Sequence, residues 1–314
     1  MKPRFSFGDA IGAPFVLIRQ RPLTVFAWGV LMIGMVGLLY SVLLPPLLSL
    51  PLDAGGEAAF EAYGVEMIQL QAASNAMTLL MYGLLLVVFN AAGRATLAPG
   101  RRDPFLFMRL GMDEVRVAVV VVGTFLGWYV ALLILVLLGV ALGFAVWSLG
   151  QATAIAILIG YGVVALIASI FGWVRLSLMG SATLILGRFA FGEGWAIGRG
   201  QVLKLVGLHL VIWVIYMLIY VVVFALVGAI LVGGFMALGL TWPDTIETPR
   251  DLPPLVGAMT VPLAAVIPVL ALAYGMFIAL MAAPTIRAAR QLLDGVPVAS
   301  APTDTSPSDT LQTT

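Results

Sequence analysis

Cysteine is absent from this chain, histidine occurs once, and charged residues make up only 10% of its 314 positions. The first absence excludes disulfides, thiolate catalysis and cysteine metal sites together. A single imidazole, His209, leaves too few ligands for a histidine-based zinc or haem centre, so no cofactor is expected. Soluble domains carry about 25% charged residues. At 62% hydrophobic residues this chain has far more apolar surface than a water-soluble fold can hide. The net charge of +1, with basic residues scattered through short connections, gives no footprint for nucleic acid.

What is present is a series of long apolar runs. At roughly 20 residues per crossing, six membrane helices are predicted: Leu23–Leu44, Ala72–Ala92, Val117–Trp147, Thr153–Val174, Leu205–Leu240 and Leu255–Ile286. From Val117 to Val174 no charged residue occurs, and Ser148, Gly150 and Gln151 are the polar break that lets this stretch turn. The third run would reach about 46 Å as a straight helix, more than one crossing needs. Its inner end, and that of the fifth, are therefore expected to enter the interface or to break at glycine.

Charge sidedness follows from the loops. Of the 16 Lys and Arg residues, all but Arg250 fall on one side of these runs. The opposite connections hold Asp53, Glu57, Glu61, Glu66, Asp244, Glu247 and Asp251. Short positively charged loops stay inside, so both termini are expected in the cytosol of a bacterial inner membrane. Trp147 and Trp242 outside, with Trp28 and Trp173 inside, suit the headgroup zones. Arg19 and Arg21 abut a first run too long for a cleaved leader, which reads as a signal anchor. The six-span domain covers residues 1–295, and the Pro-, Ser-, Thr- and Asp-rich segment 296–314 is expected to be a disordered cytosolic tail.

Interfacial segments precede the odd-numbered runs. Ser6-Phe7-Gly8-Asp9 has the form of a capping box. Asp103-Pro104 has the form of an N-cap followed by proline, and Phe105, Met108, Met112 and Val115 recur on one helical stripe beside Arg109, Asp113 and Arg116. This spacing predicts a short helix in the inner interface, or a solvated one. Phe189 to Lys204 holds the same place before the fifth run. Each even-numbered run closes on an arginine, Arg94, Arg175 or Arg287, and Phe7-Gly8-Asp9 has a counterpart in Phe191-Gly192-Glu193, with Gly111-Met112-Asp113 the poorer middle match. Either three diverged copies of one unit or the charge rule acting alone explains the pattern.

Arg94-Ala95-Thr96-Leu97, Val174-Arg175-Leu176-Ser177 and the segment from Phe191 through Gly194-Trp195-Ala196-Ile197-Gly198-Arg199 to Gly200 carry a family likeness. They resemble the integral-membrane domain attached to some glycerophosphoryl diester phosphodiesterases, and related uncharacterised bacterial six-span inner-membrane proteins. Pro284-Thr285-Ile286-Arg287-Ala288-Ala289-Arg290-Gln291-Leu292 is similar to the close of their last helix. The resemblance implies an all-α six-helix bundle and no activity. No segment resembles the soluble phosphodiesterase domain, so that reaction is not carried over.

Candidate chemistry is sparse. His209 lies about 7 to 8 Å beyond Lys204 along a regular helix and reads as a proton relay or ligand contact, or as a helix-to-helix hydrogen-bonding residue. The second reading is favoured because no acidic residue lies inside any predicted span. Asn90, Ser169, Ser177 and Ser181 admit the same alternatives, with Asn90 and His209 the candidates for an intramembrane polar site. Arg94, Arg175 and Arg287 suit lipid phosphates, which arginine holds in bidentate fashion, or serve as topology anchors. Gly123 and Gly127, and Gly139 and Gly143, have the small-xxx-small spacing of closely approaching helices. Pro45 and Pro46 are expected to end the first helix, and Pro262, Pro268 and Pro284 to punctuate the sixth.

The expectation is a non-enzymatic membrane module that organises lipids or partner proteins at the cytosolic face. The alternative is a transporter or channel for a small or lipidic molecule, which needs a hydrated cavity. An intramembrane enzyme would need His209 to meet Ser177 or Ser181.

Overall fold

Backbone donors and acceptors that enter a bilayer must be satisfied within the chain, and an almost uncharged polypeptide meets that demand as helices. The computed structural model describes residues 5–49, 57–101, 103, 105–239 and 257–295, with side chains except those of 46–49, 57–63, 65 and 66. Among the described residues the fold is all-α. The helices are α1 (Phe7–Gln20), α2 (Pro22–Ser49), α3 (Glu57–Leu97), α4 (Met112–Val146), α5 (Gln151–Leu186), α6 (Phe191–Ile197), α7 (Val202–Ala237) and α8 (Thr260–Asp294). Six of them are long and apolar enough to cross a membrane, which makes this a multi-pass membrane protein. Lys2, Arg4, Asp53, Arg102, Pro104, Trp242, Asp244, Glu247, Arg250, Asp251 and the 296–314 tail lie outside the described residues, as do the side chains of Glu57, Glu61 and Glu66.

The expected helix count holds, but the ends differ. α3 begins at Glu57 rather than Ala72, α5 runs past Val174 to Leu186, and α8 continues past Ile286 to Asp294. α4 and α7 do not break at glycine. With 35 and 36 residues they reach about 52 and 54 Å, so the surplus length projects beyond a hydrocarbon layer of about 30 Å. Arg175 consequently does not close its helix. α2 also passes Pro45 and Pro46 to end at Ser49.

α8 is likewise unbroken although Pro268 and Pro284 lie inside it. Next to Pro284, which has no N–H to donate, the Thr285 hydroxyl donates to the carbonyls of Met281 (3.1 Å) and Ala282 (3.0 Å). Pro262 falls in the first turn, where proline is tolerated, and packs against Gly234 of α7.

α8 is the hub, packed against α1, α2, α3, α5, α6 and α7, whereas α4 lies chiefly on α5. Inside a bilayer apolar burial does not select a partner, so close packing of small residues does. α8 carries a buried small-residue surface, Ala271, Gly275, Ala279, Ala282, Ala283, Ala288 and Ala289. At its crossing with α2 the backbones touch: a methyl group on Gly29 would enter the Ala271 carbonyl, and one on Gly275 would enter that of Val25. The glycines singled out on α4 behave otherwise. Gly139 and Gly143 face Tyr161 and Leu158 of α5, Gly123 meets Phe191, and Gly127 faces open space.

Burial is uneven. The most apolar windows of α4, α5 and α7 are 6% buried, against 33% for α8. Their large apolar side chains, Phe125, Leu137, Val164, Leu218 and Phe224 among them, are left for lipid. The packed cores straddle α8. One joins α1, α5, α6, α7 and α8 around Leu178, Leu205, Leu208 and Leu292; the other joins α1, α2, α3 and α8 around Trp28, Val88, Phe107 and Ile278.

Candidate functional site

Polar ties concentrate where α1, α6 and most of the charges lie, which we call the arginine-bearing end. Ser6 caps α1 by accepting from the Asp9 N–H at 3.4 Å, the local start expected from its capping-box pattern. The Ser6 N–H donates to Gln291 Oε1 at 2.7 Å, and Gln291 Nε2 donates to Asp9 at 3.3 Å, which fastens the beginning of α1 to the end of α8. Arg21, at the joint between α1 and α2, donates to the Ala98 carbonyl at 2.6 Å and lies over the Phe107 ring. Arg116 donates to the Gly187 carbonyl at 2.7 Å and so places a cation at the C-terminus of α5, the favourable sign for that helix end.

The separate interfacial helix expected after Asp103 does not form: residues 105–110 are not helical, and Met112 to Arg116 belong to the start of α4. Asp103 Oδ1 accepts from the Phe105 N–H at 2.9 Å in a side-chain turn, and Leu106 and Phe107 follow with φ of 55° and 63°. Such left-handed residues interrupt a helix and are strained in non-glycine residues. Tertiary contacts hold them. Phe107 is buried, its carbonyl accepts from Arg94 at 3.0 Å, and the Leu106 carbonyl accepts from Trp28 Nε1 at 3.1 Å. Trp28 is thus a core residue and not the interfacial anchor expected. Arg109 pairs with Asp103 at 2.7 Å instead of with Asp113, while Arg116 does pair with Asp113 at 3.0 Å. Hydrogen bonds from the Phe105 N–H and from Arg109 hold the Asp103 carboxyl below the usual carboxylate range. The middle of the three proposed units therefore lacks its interfacial helix.

Each candidate arginine has a different setting. Arg94 pairs with Glu114 of α4, a buried carboxylate whose Oε2 also accepts from the Gly111 N–H at 2.9 Å. Sequence reasoning missed this acidic partner, because Glu114 precedes the predicted span and reads as a surface charge until α4 is seen to start at Met112. Arg175 is 8% exposed, donates through Nη2 to the Trp195 carbonyl at 2.8 Å, and lies over the Trp195 ring at 3.9 Å. Arg287 is exposed on the last turns of α8.

No hydrogen bond joins the intramembrane candidates to one another among the described residues. Asn90 is buried on α3 with Nδ2 unpartnered among the described residues. His209 is half-buried on α7, and its Nδ1 bonds the Leu205 carbonyl of its own helix at 2.8 Å. Ser177 likewise donates to its own helix, at the Val174 carbonyl (2.8 Å). A groove of about 520 Å³ runs between α3 and residues 108–110, lined by Leu80, Gly83, Leu84, Val87, Met108, Arg109 and Leu110. Its floor is apolar. No cluster of three or more metal-ligating side chains occurs among the described residues. No protein-family model, curated protein or solved structure matches the chain.

Proposed function

We propose that this multi-pass protein is a non-enzymatic module of the bacterial inner membrane, with both termini cytosolic, that binds and organises anionic lipid at its cytosolic face. The observation that carries this reading is the contrast between the two parts of each long helix. The apolar lengths of α4, α5 and α7 are left to lipid, while Arg175, Arg199 and Arg287 gather at the end where α1, α6 and the termini of α8 and α5 are tied together. Guanidinium groups at headgroup depth attract anionic lipid by about 1 kcal/mol each and hold phosphate in bidentate fashion. Sidedness rests on the charge rule, which assigns the arginine-bearing end to the cytosol. The resemblance to the phosphodiesterase-linked membrane domain fits this reading, since it brings a six-helix fold and no reaction.

Arg94, already engaged by Glu114 and the Phe107 carbonyl, contributes to the fold; Arg175 and Arg287 are the contacts for lipid phosphate. Lipid that co-purifies with the protein in mild detergent should be enriched in anionic phospholipid relative to the whole membrane. That enrichment should fall when Arg175 and Arg287 are both replaced by glutamine. An unchanged lipid profile, or a reporter fused after Arg290 that is active outside the cell, refutes the proposal.

A further inference from the structure

The corner where α5, α6 and α7 meet holds Arg175 and Arg199, neither of which makes an ion pair among the described residues. Arg175 projects from α5 beneath the turn that links α6 to α7. Its guanidinium lies 3.9 Å from the Trp195 ring centroid and 5.8 Å from that of Phe171, and among the described residues its one hydrogen bond runs from Nη2 to the Trp195 carbonyl. Its Nε is buried and has no acceptor among the described residues. Stacking covers the face of a guanidinium and leaves its in-plane N–H donors to find acceptors. Gly198, in the turn, keeps its side of Arg175 bare: an added methyl there would lie 3.4 Å from the Arg175 Cγ and 3.8 Å from Nε.

Arg199, exposed one residue beyond the Gly198 that lies against Arg175, adds a second charge of the same sign. The turn then delivers the N-terminus of α7, a 36-residue helix with no acidic residue in its first turn. The first backbone bond of α7 runs from the Leu205 N–H to the Gln201 carbonyl, so the N–H groups of Val202, Leu203 and Lys204 precede it. Those groups carry the positive end of the helix dipole, and Lys204 adds a cation where an anion is the favourable sign. The nearest acid in sequence, Glu193, is taken by Arg188 at 2.8 Å.

We propose that this corner is a phosphate site, in which Arg175, Arg199 and the first turn of α7 bind the phosphate group of a lipid headgroup or of a soluble phosphoester. The two arginines and the helix terminus together suit a tetrahedral, doubly charged group better than a carboxylate. Trp195 and Gly198 are positioning residues: the indole orients the guanidinium, and the glycine leaves the turn free of a side chain beside it. The assignment of a lipid source rests on the lipid-organising reading above, whereas the site itself does not.

The test uses the full-length protein in detergent, with its thermal unfolding midpoint followed against dihexanoyl phosphatidic acid, inorganic phosphate and, as a phosphate diester without net charge, dihexanoyl phosphatidylcholine. Phosphatidic acid should raise the midpoint saturably and phosphatidylcholine should not. Arg175→Gln and Arg199→Gln should each weaken the response about tenfold or more, the loss expected for a charge-assisted hydrogen bond. Arg175→Lys, which keeps the charge and loses the planar fork, should fall between, and Arg19→Gln should leave it unchanged. Should Arg175→Gln fail to fold, the exposed Arg199→Gln decides alone. If inorganic phosphate acts as strongly as phosphatidic acid, with the same dependence on Arg199, the site stands and the lipid reading falls. No response to either ligand, or an undiminished one in Arg199→Gln, overturns the site.

Discussion

Replacing Glu114 with leucine removes the carboxylate that joins α3 to α4 and leaves Arg94 facing an apolar wall. The Arg94 side chain is 19% exposed and that of Glu114 6%, so water reaches this pair poorly. Breaking a buried pair from one side costs about 3 to 5 kcal/mol, because the remaining charge keeps its desolvation penalty and loses its compensation. The Gly111 N–H loses its acceptor in the same step. We take about 3 kcal/mol, more than a hundredfold in the unfolding equilibrium, since Arg94 keeps its bond to the Phe107 carbonyl and some access to water. The companion change Arg94→Met removes the stranded charge. The double variant should therefore recover part of the loss and stay about 2 kcal/mol below the native protein, for the bonds that the Phe107 carbonyl and the Gly111 N–H no longer make. The assay is a double-mutant cycle, with unfolding in mixed micelles followed by circular dichroism. A single variant within about 0.5 kcal/mol of native, or losses that simply add in the double, would refute the reading of this contact as a coupled, desolvated pair.

Two further outcomes follow from the same geometry. Gly275→Val should prevent α2 and α8 from closing and lower the thermal midpoint steeply, whereas Gly127→Ala, which meets open space, should leave it unchanged or slightly higher; equal midpoints for the two would contradict the backbone contact at Gly29 and Gly275. The Asp103 carboxyl, held below its usual value of 3.8 by the Phe105 N–H first and Arg109 second, contributes stability that is present above that pH and lost as pH falls through the lower folded value. The amide of Phe105 should accordingly lose hydrogen-exchange protection only on strong acidification, and Asp103→Asn should show the weaker protection at neutral pH.

The candidate site was partly legible in residue types. Arginines at the inner ends of runs are visible in any listing of charge, and so is the excess of glycine in Phe191–Gly200. What the pattern could not reveal is which arginine is taken. Arg94 and Arg175 look alike in sequence, yet one meets Glu114 from another helix and the other meets a ring and a carbonyl. Gly275, flanked at four-residue spacing by Ala271 and Ala279, has the small-residue signal as clearly as the α4 glycines; the partner surface at Gly29 distinguishes it. Asp103 illustrates the opposite failure: its N-cap signature is real, but the donors it satisfies belong to a turn.

Six crossings, the all-helical class and the gathering of arginines at one end were determined by composition and period alone, because a bilayer leaves the backbone no other way to satisfy its polar groups. The sequence was silent on which helices touch, since in uniformly apolar segments such as α7 no face is marked by hydrophobicity. Tertiary structure decided that α8 is the hub, that Leu106 and Phe107 turn back over Trp28 and Arg94, and that Arg175 lies against Trp195 and the turn that links α6 to α7. Each of these rests on close packing and on hydrogen bonds between residues far apart in the chain, whose strength depends on distance and desolvation and leaves no periodic trace.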